Sequence, residues 1–258
     1  MILYIRNIIN MAKILNSEET KELHKYLIEL TKVFRDVCDE EGIWYSLAFG
    51  TMLGAVREKN IIAWDTDVDV FVLHKDLERL RQAFDKRKFN GITYINHNTT
   101  YHCLKSHDNL IFTQSDVFPD IHLDIYPIVG APATKEEQDK VTWRWNYVDR
   151  IVRSKYVDIR QCLPKNKILV AGAKIIDYCI PDSVLQNNIK MRETKYNMEE
   201  TGYWLTLANY GAGRSCFPVS FLEETEEKEL GGEKFKVMKE WHKFLTIVYG
   251  DYMTPKKY

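Results

Sequence analysis

Three aspartates at alternate positions, Asp65, Asp67 and Asp69, stand a short way downstream of a Gly50-Thr51 pair. Asp67 and Asp69 are set among Val68, Val70, Phe71, Val72 and Leu73, a period-two pattern that predicts a strand. Residues two apart on a strand share a face, so the two carboxylates would project side by side. Adjacent carboxylates repel each other and require a cation between them. Hard oxygen ligands at this spacing suit Mg²⁺ or Mn²⁺ holding a phosphate. Asp-x-Asp alone is common, and in an exposed turn it means only solvated charge. The Gly-Thr pair gives it weight. Gly50 lets backbone approach a phosphate closely, Thr51 adds a hydroxyl and an N–H, and Met52–Arg57 predicts a short helix whose N-terminus favours an anion. These residues suit metal-dependent chemistry on a phosphorylated substrate.

His122-Leu123-Asp124-Ile125-Tyr126-Pro127 supplies a third acid inside an apolar, strand-like run ending at Pro127. Leu123 and Ile125 face one side, which leaves Asp124 on the other with His122 and Tyr126. A strand laid beside the first would bring Asp124 to Asp67 and Asp69. Such a triad can hold one or two metals and leave one carboxylate as general base. Arg57 follows the Gly-Thr turn by about two helical turns, so its side chain could swing back toward a phosphate. Its alternative is a pairing with Glu58 or Asp65 that pins the loop.

The run Phe49-Gly50-Thr51-Met52-Leu53-Gly54-Ala55-Val56-Arg57, followed by Trp64-Asp65-Thr66-Asp67-Val68-Asp69, resembles the signature of the LicD family of phosphocholine transferases. These belong to the nucleotidyltransferase superfamily related to DNA polymerase β. Phe217-Pro218 and Tyr249-Gly250-Asp251-Tyr252-Met253 with Pro255 are similar to that family's C-terminal features, so the likeness covers most of the chain. Thr66 departs from it, since the family often carries another Asp there. The resemblance implies Asp67, Asp69 and Asp124 as metal ligands and catalytic residues, with Gly50, Thr51 and Arg57 on the donor phosphates. It further implies Mg²⁺ (or Mn²⁺), a CDP-choline or related CDP-alcohol donor, and CMP as the leaving product. The acceptor would be a sugar hydroxyl of a cell-surface glycan or its lipid-linked precursor. A nucleotidyltransferase moving NMP from an NTP to a small molecule would use the same acids. A glycosyltransferase with an Asp-x-Asp metal site fits less well, because the Gly-Thr turn has no place in it, and a non-enzymatic scaffold would not need the triad.

With 258 residues, 45% of them hydrophobic, the chain can bury a full core. A net charge of −1 argues against a nucleic-acid binder relying on a broad basic surface. Cys38, Cys103, Cys162, Cys179 and Cys216 are odd in number and scattered, as expected of reduced thiols in a cytoplasmic protein with at most peripheral membrane contact at the inner face. Met1–Leu15 is rich in isoleucine, but Arg6 and Lys13 interrupt it and no small-residue cleavage site follows. It reads as a strand or helix packed on the domain rather than a signal or a span.

The element order that must position these residues is α/β (α+β). Ser17 opens a helix running to Gly42, Ile43–Leu47 a strand, and Asp76–Arg87 a helix. Short strands follow near Ile92–Ile95, Tyr101–Lys105, Leu110–Thr113 and Ile121–Tyr126, with turns at Asn90-Gly91 and Asp108-Asn109. Thr134 with Glu137 makes a capping box for a helix through Ile151. Lys165–Ile180 and Asp182–Met198 read as two more helices, Glu229–Phe235 as a hairpin turning at its glycines, and Lys239–Tyr249 as a last helix. The resulting expectation is a nucleotidyltransferase-like small mixed sheet with flanking helices (residues 1–128) and a helical C-terminal part (residues 129–258), packed as one unit.

Other features have plainer readings. His97, His102 and His107 are five apart, which suits neither a helical pair nor one face of a strand. Trp143 and Trp145 could cage a quaternary ammonium, but aromatic residues on an amphipathic helix are more often core. Arg150, Arg153, Lys155, Arg160, Lys165 and Lys167 could touch anionic lipid, though a solvated helix face is the commoner outcome.

Overall fold

Leu23, Leu27, Leu30, Phe34, Val37 and Cys38 recur at helical spacing, and all are buried along one face of α1 (Ser17–Glu41). The computed structural model describes residues 17–89, 92–96, 109–113, 121–154, 157–206 and 216–254. The strand expected at Tyr101–Lys105, the turns at Asn90-Gly91 and Asp108, the three histidines His97, His102 and His107, Cys103, Lys155, Met1–Leu15 and Pro255 lie outside them. So do the side chains of Arg150, Arg153 and Lys165.

After α1 come β1 (Tyr45–Leu47), α2 (Phe49–Arg57), β2 (Val68–Leu73) and, past a short 3₁₀ turn, α3 (Leu77–Arg87). β3 (Thr93–Asn96), β4 (Asn109–Thr113) and β5 (Ile121–Gly130) follow. The strands lie in the order β1-β2-β5-β4-β3. β2 and β5 run parallel, and the other neighbours pair antiparallel, so the expected mixed sheet is present.

β5 does not end at Pro127 but runs on to Gly130. On one edge β4 stops at Ile125, and β6 (Tyr203–Thr206) takes over at Ile128, so Pro127 falls in the gap between two ladders. A residue lacking an N–H is tolerated there. β7 (Cys216–Pro218) then pairs with β6, and neither short strand was expected from the sequence. Residue 128 therefore lies inside β5.

α4 (Lys135–Ser154) opens with the expected cap, Glu137 N–H donating to Thr134 Oγ1 at 3.4 Å. α5 (Pro164–Cys179) and α6 (Asp182–Thr194) follow. The single helix expected over Asp182–Met198 is broken: the separate short helix α7 (Met198–Thr201) starts where the Asn197 side chain accepts from Glu199 N–H. β8 (Thr225–Leu230) and β9 (Glu233–Met238) form a hairpin through Gly231 and Gly232, whose φ values of +63° and +87° suit a tight two-residue turn. β9 is stitched to β1: Met238 N–H donates to Ser46 Oγ at 2.9 Å and Lys236 N–H to the Tyr45 hydroxyl at 3.2 Å. α8 (Trp241–Tyr249) closes the described chain. Its Phe244 meets Phe71 of β2 at 5.5 Å between ring centroids and Phe217 of β7 at 4.8 Å, while Phe71 also meets Trp204 at 5.6 Å. One aromatic core thus joins residues from both halves of the sequence.

Candidate active site

The site grows from the start of α2 and the start of β2. Ala48 N–H donates to the Asp69 carbonyl at 2.9 Å, and Asp69 N–H donates back to Thr51 Oγ1 at 2.8 Å. The first turn of α2 is therefore fastened to the backbone of the acidic strand from both sides. Thr51 is buried, and its hydroxyl holds Asp69 in place. α2 begins without a side-chain cap, so the N–H groups of its first turn are not taken up by one.

Parallel pairing sets Asp69 beside Asp124 and Val68 beside Leu123. Residues in register on parallel strands face the same way, so the sheet presents acids from both strands on one face. Asp67 precedes β2 by one residue. One donor atom each from Asp67, His122 and Asp124 lie within 4.8 Å of one another. Asp124 is 4% exposed, and His122 Nε2 sits 3.9 Å from its Oδ1. Two carboxylate oxygens and an imidazole nitrogen make a donor set that fits a divalent cation. Asp69 lies outside that cluster of three, two residues along the strand from Asp67 and opposite Asp124. His122 is the member the sequence did not assign, although its place two residues before Asp124 puts it on the same face.

Asp65 occupies a different place. A Cβ added at Gly50 would come 3.0 Å from Asp65 Oδ2, so the carboxylate lies against the first turn of α2, where the helix favours negative charge. The Asp65 carbonyl is 2.8 Å from His24 Nε2 of α1. Trp64 beside it is exposed. Buried Ile61 and Ile62 anchor the loop, because they are the apolar side chains that turn into the core, and His24 fixes its far end.

Arg57 takes its pinning arrangement. Nη2 and Nε both donate to Glu58 Oε1, at 2.6 and 3.2 Å, and Nη1 donates to the Tyr252 carbonyl at 3.1 Å. Of the two tryptophans on α4, Trp145 is buried under the Arg192 guanidinium, 4.9 Å from its ring centre. Trp143 is exposed and stacks on Tyr147 at 5.6 Å between centroids. Cys38, Cys162, Cys179 and Cys216 are free thiols. Burial pushes the Cys216 thiol up to about 11.

The family model described as LicD/FKTN/FKRP, nucleotidyltransferase domain, matches residues 42–173, a span that holds β1, α2, β2 and β5 and with them every residue of the site. The chain is 25% identical over 258 aligned residues to the lipopolysaccharide cholinephosphotransferase LicD of Haemophilus influenzae, covering 90% of this chain and 91% of that protein. It is 35% identical over 115 residues to an uncharacterized protein of Rickettsia typhi, covering 42% of this chain and 35% of that one. A solved structure of ANT(2")-Ia with adenylyl-2"-tobramycin overlaps 64% of this chain and 98% of its own at 13% identity, but a TM-score of 0.29 is too low to bear on the fold. With the matched span taking in just over half of the sequence and the whole acidic site, the chain belongs to the LicD/FKTN/FKRP nucleotidyltransferase-domain family.

Proposed function

We propose that the chain is a phosphotransferase that moves a phosphocholine-type group from a CDP-alcohol to a sugar hydroxyl of a cell-surface glycan or its lipid-linked precursor, on the cytoplasmic side. The observation that carries this reading is the parallel register of β2 and β5, which sets Asp124 beside Asp69 at the start of α2, in a chain of the LicD family. The named activity of the Haemophilus relative supports the choice of group and of a glycan acceptor. Among the described residues no helix is long and apolar enough to cross a membrane.

In this proposal Asp67, His122 and Asp124 hold a Mg²⁺ or Mn²⁺ ion, with Asp69 beside them. When bound, that ion would neutralise charge on the donor diphosphate and on the departing CMP. The acceptor oxygen forms a bond to the choline-bearing phosphorus while the bond from that phosphorus to the bridging oxygen breaks, and the electron pair leaves with CMP. The hydroxyl proton passes to a carboxylate, with Asp124 assigned as acceptor. Gly50 and Thr51 present the N–H groups of the α2 first turn to the donor phosphates, and burial of Asp124 keeps the cluster preorganised. Arg57 is assigned as a positioning residue, since Glu58 and Tyr252 already engage it. Contact with the diphosphate through its two remaining N–H donors is the second reading.

Incubation with Mg²⁺ and a panel of CDP-choline, CDP-ethanolamine, CDP-ribitol, nucleotide-sugars and NTPs separates the classes. CMP release from a CDP-alcohol is expected. Pyrophosphate from an NTP would move the assignment to nucleotidyl transfer, and NDP from a nucleotide-sugar to glycosyl transfer.

A further inference from the structure

α5 is apolar on the wrong side. Ile168, Leu169, Ile175 and Tyr178 are 82%, 72%, 65% and 91% exposed, whereas Asp177, the only acid of the helix, is buried. A helix that served only to cover a core would show the reverse pattern. Ile168, Gly172, Ile175 and Cys179 are spaced as one stripe, with Leu169 and Ile176 on one shoulder and Lys167, Lys174 and Tyr178 on the other. Exposed Leu163 extends the apolar run before the helix. On α6, Val184 and Met191, seven residues apart and both exposed, form a second stripe. Contiguous apolar surface of this kind marks a contact site.

We infer that the outward face of α5 docks in the plane of a bilayer surface bearing anionic headgroups. Charge selects this occupant: Lys167 and Lys174 rim the stripe, and the one acid of the helix, Asp177, is buried away from it. Lysine stems lie along apolar surface while their ammonium groups reach phosphates, and a tyrosine at one end suits the boundary between headgroups and acyl chains. α6 reaches the core at the far ends of the strands from the acids, with Glu193 3.6 Å from His74, which directly follows β2. The inference stands independently of the transfer chemistry proposed above.

Vesicle flotation tests the inference, using phosphatidylcholine alone and phosphatidylcholine mixed with phosphatidylglycerol. The wild-type chain should float with the anionic vesicles, weakly or not at all with the neutral ones, and release as salt rises. Ile168→Ser/Ile175→Ser and Lys167→Glu/Lys174→Glu should each cut anionic binding at least tenfold while cooperative thermal melts show both variants folded. Anionic vesicles should also shield exposed Cys179, which lies on the stripe, from maleimide. Absence of binding to anionic vesicles, or binding that survives both double substitutions, overturns the inference. A concentration-dependent dimer that Ile168→Ser/Ile175→Ser abolishes, without vesicle binding, would overturn it in favour of a second copy of the chain.

Discussion

Replacing Asp67 or Asp69 by Asn removes one carboxylate from a crowded acidic face while keeping its shape. Each variant should lose turnover entirely, yet its melting temperature should hold or rise slightly because like-charge repulsion is relieved. Wild-type protein should gain thermal stability with Mg²⁺ or Mn²⁺, and Asp67→Asn should lose that gain, since ligand binding to the folded state alone stabilises it. Near-normal activity in Asp67→Asn would refute the metal assignment, and in Asp69→Asn the part given to the second strand acid. The acids are not equivalent. Asp124→Ala, at a buried position in the cluster, should lower kcat on the order of 10²-fold or more. Asp65→Ala should cost less, because Asp65 lies against the first turn of α2 and not in the cluster. Kinetics of the two variants side by side decide this, and the reverse ranking would mean that the third acid is misassigned. Strand alternation in the sequence was enough to put Asp124 on a face with His122. It could not make His122 a ligand, because only the folded distances bring its ring within reach of both Asp67 and Asp124.

At the level of elements, one of the two hydrogen bonds that fasten the start of α2 to β2 runs through a single hydroxyl. Thr51→Val keeps the shape but leaves the Asp69 N–H without its acceptor, a loss of about 1 kcal/mol at a partly buried group. Thr51→Ser should restore both stability and rate. Thermal denaturation with kcat for the two variants provides the check, and a Val variant indistinguishable from wild type would show that the hydroxyl does not hold the strand. The helices and the central strands were legible because each spans several repeats of its period: on α1, Leu23, Leu27, Leu30, Phe34, Val37 and Cys38 keep helical spacing and are all buried. β6 and β7 were not, at four and three residues, since so short a run has no measurable alternation. Their place is fixed by Trp204 and Phe217 entering the aromatic core, a contact distant in sequence. The break between α6 and α7 turns on Asn197, a residue that favours caps over helix interiors, where the expected helix ran straight through.

Across the whole molecule, Arg57 joins the end of α2 to the C-terminal segment through Tyr252, 195 residues away. Lys cannot reproduce the guanidinium fork. Arg57→Lys should therefore lower the melting temperature and worsen donor and acceptor constants together. A rise in donor KM alone, at unchanged stability, would place the guanidinium on the diphosphate instead. The division of the sequence at residue 128 cuts β5, and β9 returns to β1 through hydrogen bonds to Ser46 and Tyr45, contacts that no local pattern encodes. The transfer chemistry itself is tested most directly by single-turnover release of CMP from CDP-choline, followed in wild type and in Asp67→Asn with and without Mg²⁺. CMP should appear only with wild type and the cation, matched by phosphocholine on the sugar acceptor. CMP release that is indifferent to the cation, or equal in Asp67→Asn, would contradict the metal-dependent mechanism, and no release from any CDP-alcohol would contradict the transfer itself.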